Sequence, residues 1–170
     1  MKKALLYIHG KGGNAGEAER YKAFFNDYDV FGLDYKTATP WETKEEILVE
    51  YETLNKKYDS VSIIANSIGA YFTMNALSEK KVERAFFISP IVNMEKLIHQ
   101  IMLWADVTEQ ELQEKQVIET SFGGTLSWKY LCYVRENPIV WNTETYILYA
   151  GNDNLTSYET ISKFAEETHS

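Results

Sequence analysis

The chain has one cysteine in 170 residues, Cys132. A disulfide within the chain is therefore impossible, and a metal site built from several cysteines is excluded. Such usage fits a reducing compartment. Long apolar runs are also missing: no segment approaches the ~18 residues that a bilayer span requires. The first apolar run, Ala4–Ile8, follows two lysines but is cut off by His9, which makes it too short for the core of a secretory signal. The expectation is a cytoplasmic protein with no membrane partner. Positive charge is scarce as well, with 17 Lys and Arg against 25 Asp and Glu and a formal charge of −8. Apart from pairs such as Lys56-Lys57 and Lys80-Lys81 the cations are scattered, so nucleic acid is not an expected partner.

What remains is an ordinary globular composition, 45% hydrophobic and 25% charged. A chain of this length buries roughly 70% of its unfolded surface, enough for one domain with a real core. Short apolar runs alternate with helix-like stretches. Residues 4–9, 28–35, 60–65, 84–89 and 145–151 read as strands. Residues 15–27, 40–58, 67–79 and 157–168 read as helices, the second opened by Pro40 with acids in its early turns and lysines near its end. Strands separated by helices imply β-α-β units and a parallel sheet covered on both faces, with continuously apolar strands. The expected fold is α/β, about five parallel strands in the order 2-1-3-4-5. Residues 91–144 are too long for an ordinary crossover. With helix-like pieces around 93–104, 108–119 and 127–136, they read as a helical cap inserted into a single domain spanning 1–170.

In a parallel α/β sheet, chemistry sits at the carboxyl ends of the strands. The first strand ends in His9-Gly10-Lys11-Gly12-Gly13, the third in Ala65-Asn66-Ser67-Ile68-Gly69, the fourth in Ser89-Pro90, and the fifth in Ala150-Gly151-Asn152-Asp153. The pentapeptide at 65–69 matches the nucleophile elbow G-x-S-x-G with Ala in the first position. Small residues are required there because the strand-to-helix turn is tight. The same serine can be read as a plain helix N-cap.

A second motif overlaps the first loop. Gly10 to Ala15 also fits G-x-G-x-x-[GA] after a strand, and Asp34 falls 24 residues beyond Gly10, near the place of a ribose-binding acid. A dinucleotide-binding module is therefore an alternative. It gives no role to His9 and leaves the elbow and the Asp153 loop unexplained. A non-catalytic binding scaffold is a third reading.

With "LYIHGKGG", "IIANSIGAY", "AFFISPI" and "ILYAGNDNLTS" in this order, nearly the whole chain resembles the α/β-hydrolase superfamily. It looks most like small bacterial serine hydrolases or esterases that begin directly at the His-Gly strand. The resemblance implies an acyl hydrolase that takes a small-molecule acyl substrate, such as a carboxylic ester, and needs neither a metal nor an organic cofactor. Ser67 would be the nucleophile, the N–H groups of Ile68 and Lys11 the oxyanion hole, Asp153 the orienting acid, and His9 a brace for its loop.

The base is the difficulty. The superfamily order is Ser, Asp, His, and the only histidine after Asp153 is His169. The family pattern after the acid is a helix, a strand and then a loop bearing His, whereas the helix at 157–168 takes up almost all that remains. The expectation is a chain that stops short of its base, or a natural pseudo-hydrolase, with His169 the remaining candidate. His99 precedes Asp153, against that order. A sheet without its last strand would leave an open edge, for which the expectation is a homodimer or poor stability. Phe122 and Trp128 are candidates for an acyl pocket, within a group (Tyr130, Tyr133 and Trp141 besides) whose helical spacing is more often that of plain core. Cys132 is expected to be buried and inert.

Overall fold

The computed structural model describes residues 1–151 and 153–168. It divides into two compact units, one of Met1–Val92 with the segment from Ile139 onward, the other of Asn93–Pro138.

The first unit is built on β1 (Lys3–Ile8), β2 (Tyr28–Leu33), β3 (Ser60–Asn66) and β4 (Ala85–Ile88). A further strand, Thr145–Leu148, is β7 in chain order. All pairings are parallel and the sheet order is β2-β1-β3-β4-β7. The apolar runs fix this order. Ala4 to Ile8 and Val61 to Ala65 are buried throughout, as central strands covered on both faces must be. Edge strands follow a weaker rule: β7 alternates, with Tyr146 and Leu148 exposed and Thr145 buried.

Connections place the helices. Right-handed crossovers moving from β2 to β3 and from β3 to β4 put α1 (Pro40–Asn55) and α2 (Ile68–Leu77) on one face, where they pack together and against β3. The β1-to-β2 connection runs the other way and covers the opposite face, with Ala18 packed on Leu5, Tyr7 and Ile64. That connection is not the helix expected over 15–27. It is a 3-10 helix at Ala15–Tyr21, followed by turns that leave Phe24 exposed. Its backbone lies so close to β2 that a Cβ on Gly32 would fall 2.1 Å from the Ala15 carbonyl oxygen. The helix expected over 40–58 ends at Asn55, so the lysines expected near its end fall at and just past its C-cap, Lys56. The last helix, α6 (Tyr158–Thr168), buries Ile161 and Phe164.

The second unit contains α3 (Met94–Trp104), α4 (Glu109–Lys115) and α5 (Trp128–Glu136), with a hairpin of β5 (Val117–Glu119) and β6 (Thr125–Ser127). The helix expected to 119 ends early. Gln116 turns to φ 64°, its N–H caps the Leu112 carbonyl, and the β-branched pair Val117-Ile118 continues as strand. A salt-bridge cluster joins the helices: Arg135 Nε to Glu95 at 2.7 Å and Arg135 Nη1 to Glu109 at 2.6 Å, with His99 Nε2 at 3.4 Å from Glu109. Cys132, expected to be buried, is half-buried.

Candidate active site

Ser67 stands between β3 and α2 with φ 53° and ψ −120°. A capping serine keeps extended dihedrals and accepts a hydrogen bond from the first turn. Ser67 does neither: its φ lies in the region that favours glycine, and its side chain makes no capping hydrogen bond. Such a backbone costs on the order of 1–3 kcal/mol and persists only where the surroundings impose it. They do so here. Ser67 N–H donates to Ile88 O at 2.9 Å and Ile91 N–H donates to Ser67 O at 3.1 Å, so the chain leaving β4 straps the turn. Ser89, in that strap, is itself at φ 41° and donates its N–H to Leu148 O at 2.8 Å.

Gly69 is required on steric grounds. A Cβ there would lie 2.5 Å from His9 O and 2.7 Å from Ile8 O. The turn therefore presses directly on the end of β1. Gly10 lies on the same spot, and a Cβ on it would be 3.2 Å from Ser67 Cβ. The two motifs found separately in the sequence meet here.

The loop after β1 is held at one carbonyl. Gly10 O accepts from Gly13 N–H at 3.1 Å and lies 2.8 Å from His9 Nδ1. A carbonyl can only accept, so the hydrogen-bond network assigns the proton to Nδ1. His9 is buried, and its Nε2 has no hydrogen-bond partner among the described residues. Gly10 C=O and Lys11 N–H belong to one planar peptide unit, and no cis bond occurs among the described residues. Anchoring the carbonyl thus turns the Lys11 N–H to the opposite side. The other donor, Ile68 N–H, opens α2, where first-turn N–H groups have no intrahelical acceptor.

Tyr35 was not singled out from the sequence. Its ring stacks on His9, with centroids 4.1 Å apart and planes 5° apart, and its hydroxyl donates to His9 O at 2.7 Å. Burial, with the Glu46 charge adding to it, pushes its hydroxyl up to about 12. The register contains a signal for it: Ile8 pairs with Leu33, so residues just past Leu33 run beside those just past Ile8. On the opposite face of β1, buried Tyr7 donates to Glu17 at 2.5 Å, and burial followed by that bond raises its pKa.

Asp153 follows β7 in a turn of its own, with its N–H on Ala150 O at 3.1 Å. One carboxylate oxygen accepts from Leu155 N–H at 2.8 Å and Thr156 N–H at 3.3 Å. Tyr149 OH fixes the far side of the loop on Thr156 O at 3.1 Å. His169 lies outside the described residues. His99 is engaged in the second unit's salt-bridge cluster, with Arg135 Nη2 at 3.3 Å.

The pocket candidates divide. Trp141 is core of the first unit, packed on Phe87 with its indole N–H on Thr145 Oγ1 at 2.8 Å. Phe122 and Trp128 belong to the second unit. Phe122 is exposed on the hairpin turn, edge-on to Trp104, and Trp128 opens α5 with its N–H on Gln116 O. The dinucleotide reading is not supported. Gly10–Ala15 leads into a seven-residue 3-10 helix instead of an α-helix that could face a pyrophosphate, and the exposed Asp34 is paired with Lys36 at 2.5 Å. No described helix is long and apolar enough to cross a membrane.

No protein-family model matches the chain, and comparison with curated proteins finds no match. Solved structures do match. Est1E from Butyrivibrio proteoclasticus aligns with a TM-score of 0.74 at 12% identity, over 98% of this chain and 74% of that one. Mouse alpha/beta hydrolase domain-containing protein 10 gives 0.71 at 13%, over 96% and 74%. A soluble variant of monoglyceride lipase from Saccharomyces cerevisiae gives 0.62 at 10%, over 100% and 75%. Identities this low speak for architecture alone, and together with the parallel β2-β1-β3-β4-β7 sheet they establish that the chain has the α/β-hydrolase fold.

Proposed function

We propose that this protein is a serine hydrolase acting on a carboxylic ester or related acyl substrate. The observation that carries the reading is Ser67 at φ 53° without a capping bond, pressed against the Gly10 loop. A structural cap has no use for a strained backbone, whereas a nucleophile on a sharp turn does. Ser67 Oγ would attack the acyl carbon. The carbonyl oxygen, becoming an oxyanion, would receive the N–H groups of Ile68 and Lys11, the first reinforced by the positive end of α2. The tetrahedral adduct would expel the alcohol to leave an acyl-serine, which water then hydrolyses.

The serine needs a base, and the base an orienting carboxylate. Asp153 supplies the carboxylate: backbone N–H groups hold one oxygen, leaving the other for an imidazole. We assign that base to His169, which follows Asp153 in chain order, in place of the expectation of a chain that stops short of its base. Two neighbours in fold support the substrate class, one a monoglyceride lipase bound to a substrate analogue and one solved with ferulic acid bound.

A fluorophosphonate probe tests the proposal. The native chain should be labelled once, at Ser67, and Ser67→Ala should not be labelled. A short-chain aryl ester should be hydrolysed by the native chain and not by Ser67→Ala. Absent labelling, or labelling that survives Ser67→Ala, overturns it.

A further inference from the structure

Oxyanion donors work by being fixed before the charge develops. The Ile68 N–H is fixed by its helix. The Lys11 N–H lies in a loop containing Gly10, Gly12 and Gly13, and Gly12 is at φ 76°. Such a loop is intrinsically adaptable, so something outside it must set the donor. The anchor already described is Gly10 O, held by Gly13 N–H and His9 Nδ1. His9 can hold it only while its own ring and backbone are held.

Both are held by one residue. Tyr35, buried just beyond β2, lies flat on the His9 imidazole and also donates its hydroxyl to His9 O. The tyrosine is itself wedged from behind, edge-on to Phe72 of α2 at 5.8 Å between centroids. The helix that presents Ile68 N–H therefore also backs the residue that braces the other donor. His9 O is one of the two carbonyls that crowd Gly69, so its placement bears on the elbow as well.

We infer that Tyr35 is a positioning residue for the oxyanion hole, setting the Gly10–Lys11 peptide through His9. The inference rests on the acyl-hydrolase reading of Ser67 and adds to it a residue that touches no substrate atom.

Tyr51 supplies a matched control. It too is buried and donates its hydroxyl to a backbone carbonyl, Lys81 O, at 2.8 Å. Tyr35→Phe and Tyr51→Phe each delete one such bond and keep the ring. Labelling by a fluorophosphonate forms the Ser67 Oγ–P bond, breaks P–F, releases fluoride and passes the Oγ proton to the base or to water. The phosphoryl oxygen takes the oxyanion's place. Outright loss of an oxyanion donor costs roughly 10²–10³-fold, so a loosened donor should slow Tyr35→Phe by about tenfold. Tyr51→Phe should label at the native rate despite a similar drop in melting temperature. With an aryl ester, Tyr35→Phe should lower kcat and leave KM unchanged. Should Tyr35→Phe not fold, His9→Asn, which keeps a side-chain N–H for Gly10 O, should label much faster than His9→Ala. A native labelling rate in Tyr35→Phe, equal slowing in Tyr51→Phe, or equal rates in the two His9 variants overturns the inference and leaves the hydrolase reading standing. An unlabelled native chain overturns both.

Discussion

Gly69→Ala should destabilise this protein, although the ordinary expectation has the opposite sign. Replacing a helical glycine by alanine usually gains about 1 kcal/mol. At Gly69 the new Cβ would lie 2.5 Å from His9 O and 2.7 Å from Ile8 O, both backbone atoms. Neither can rotate aside as a side chain would, so β1 and α2 must separate. Overpacking of a tight core costs typically ~1–3 kcal/mol, and a clash with two carbonyls belongs at or beyond the upper end. Subtracting the helical gain leaves a net loss of about 2 kcal/mol. For a chain of this size that lowers the melting temperature by roughly 4–8 °C. Gly151→Ala is the control, since a Cβ there meets nothing within 4 Å; it should change stability by less than ~0.5 kcal/mol. Thermal and urea unfolding of the three proteins measures the difference. Separation of β1 from α2 also pulls the Gly10 loop from Ser67, so Gly69→Ala should label more slowly with a fluorophosphonate. A variant as stable as the native chain and labelled at the native rate refutes the reasoning about how the two motifs meet.

Ser67→Gly should be more stable than the native chain, by about 1 kcal/mol, because glycine tolerates φ 53° without strain; a lower urea midpoint contradicts the claim that this serine is held against its preference. In the second unit, the Arg135 guanidinium beside Glu109, with His99 adding to it, holds that carboxyl down to about 2. A carboxyl with a depressed native pKa contributes stability that is fully present above its unfolded value, ordinarily 4.5, and is lost as pH falls toward 2. Glu109 is about two-fifths exposed, so screening keeps this contribution below ~1 kcal/mol. The urea midpoints of native protein and Glu109→Gln should therefore differ at pH 7 and converge as the pH is lowered from 4.5 toward 2; a gap that stays constant across that range contradicts the pairing.

The architecture was legible because burial on both faces forces parallel strands to be apolar along their length. The five runs and their order, with the fifth strand at the edge, are those observed. What the composition of a segment cannot report is how near its neighbour lies. Residues 15–27 carry apolar residues at helical spacing, yet their closeness to Gly32 goes with a 3-10 turn. The hairpin at 117–127 was hidden for a different reason. Its strands are three residues each, and the preceding Glu- and Gln-rich helix extends the helical pattern past Gln116.

The candidate site shows the same limit more sharply. As a string, Ala65–Gly69 is compatible with a cap and with an elbow, because both readings accept a serine at the start of a helix. They part company at one dihedral angle, and that angle is set by contacts from distant segments: Ile88 and Ile91 on one side, the end of β1 on the other. The strain at Ser67 is thus a tertiary property. Tyr35 illustrates the complementary case. Its aromatic ring reads as the end of an apolar run, and only the pairing of Ile8 with Leu33 brings it beside the His-Gly loop. In a parallel sheet the residues that follow adjacent strands are neighbours even when far apart in sequence. The residues to compare at such a site are therefore those just past the ends of paired strands, whatever motif each one resembles alone.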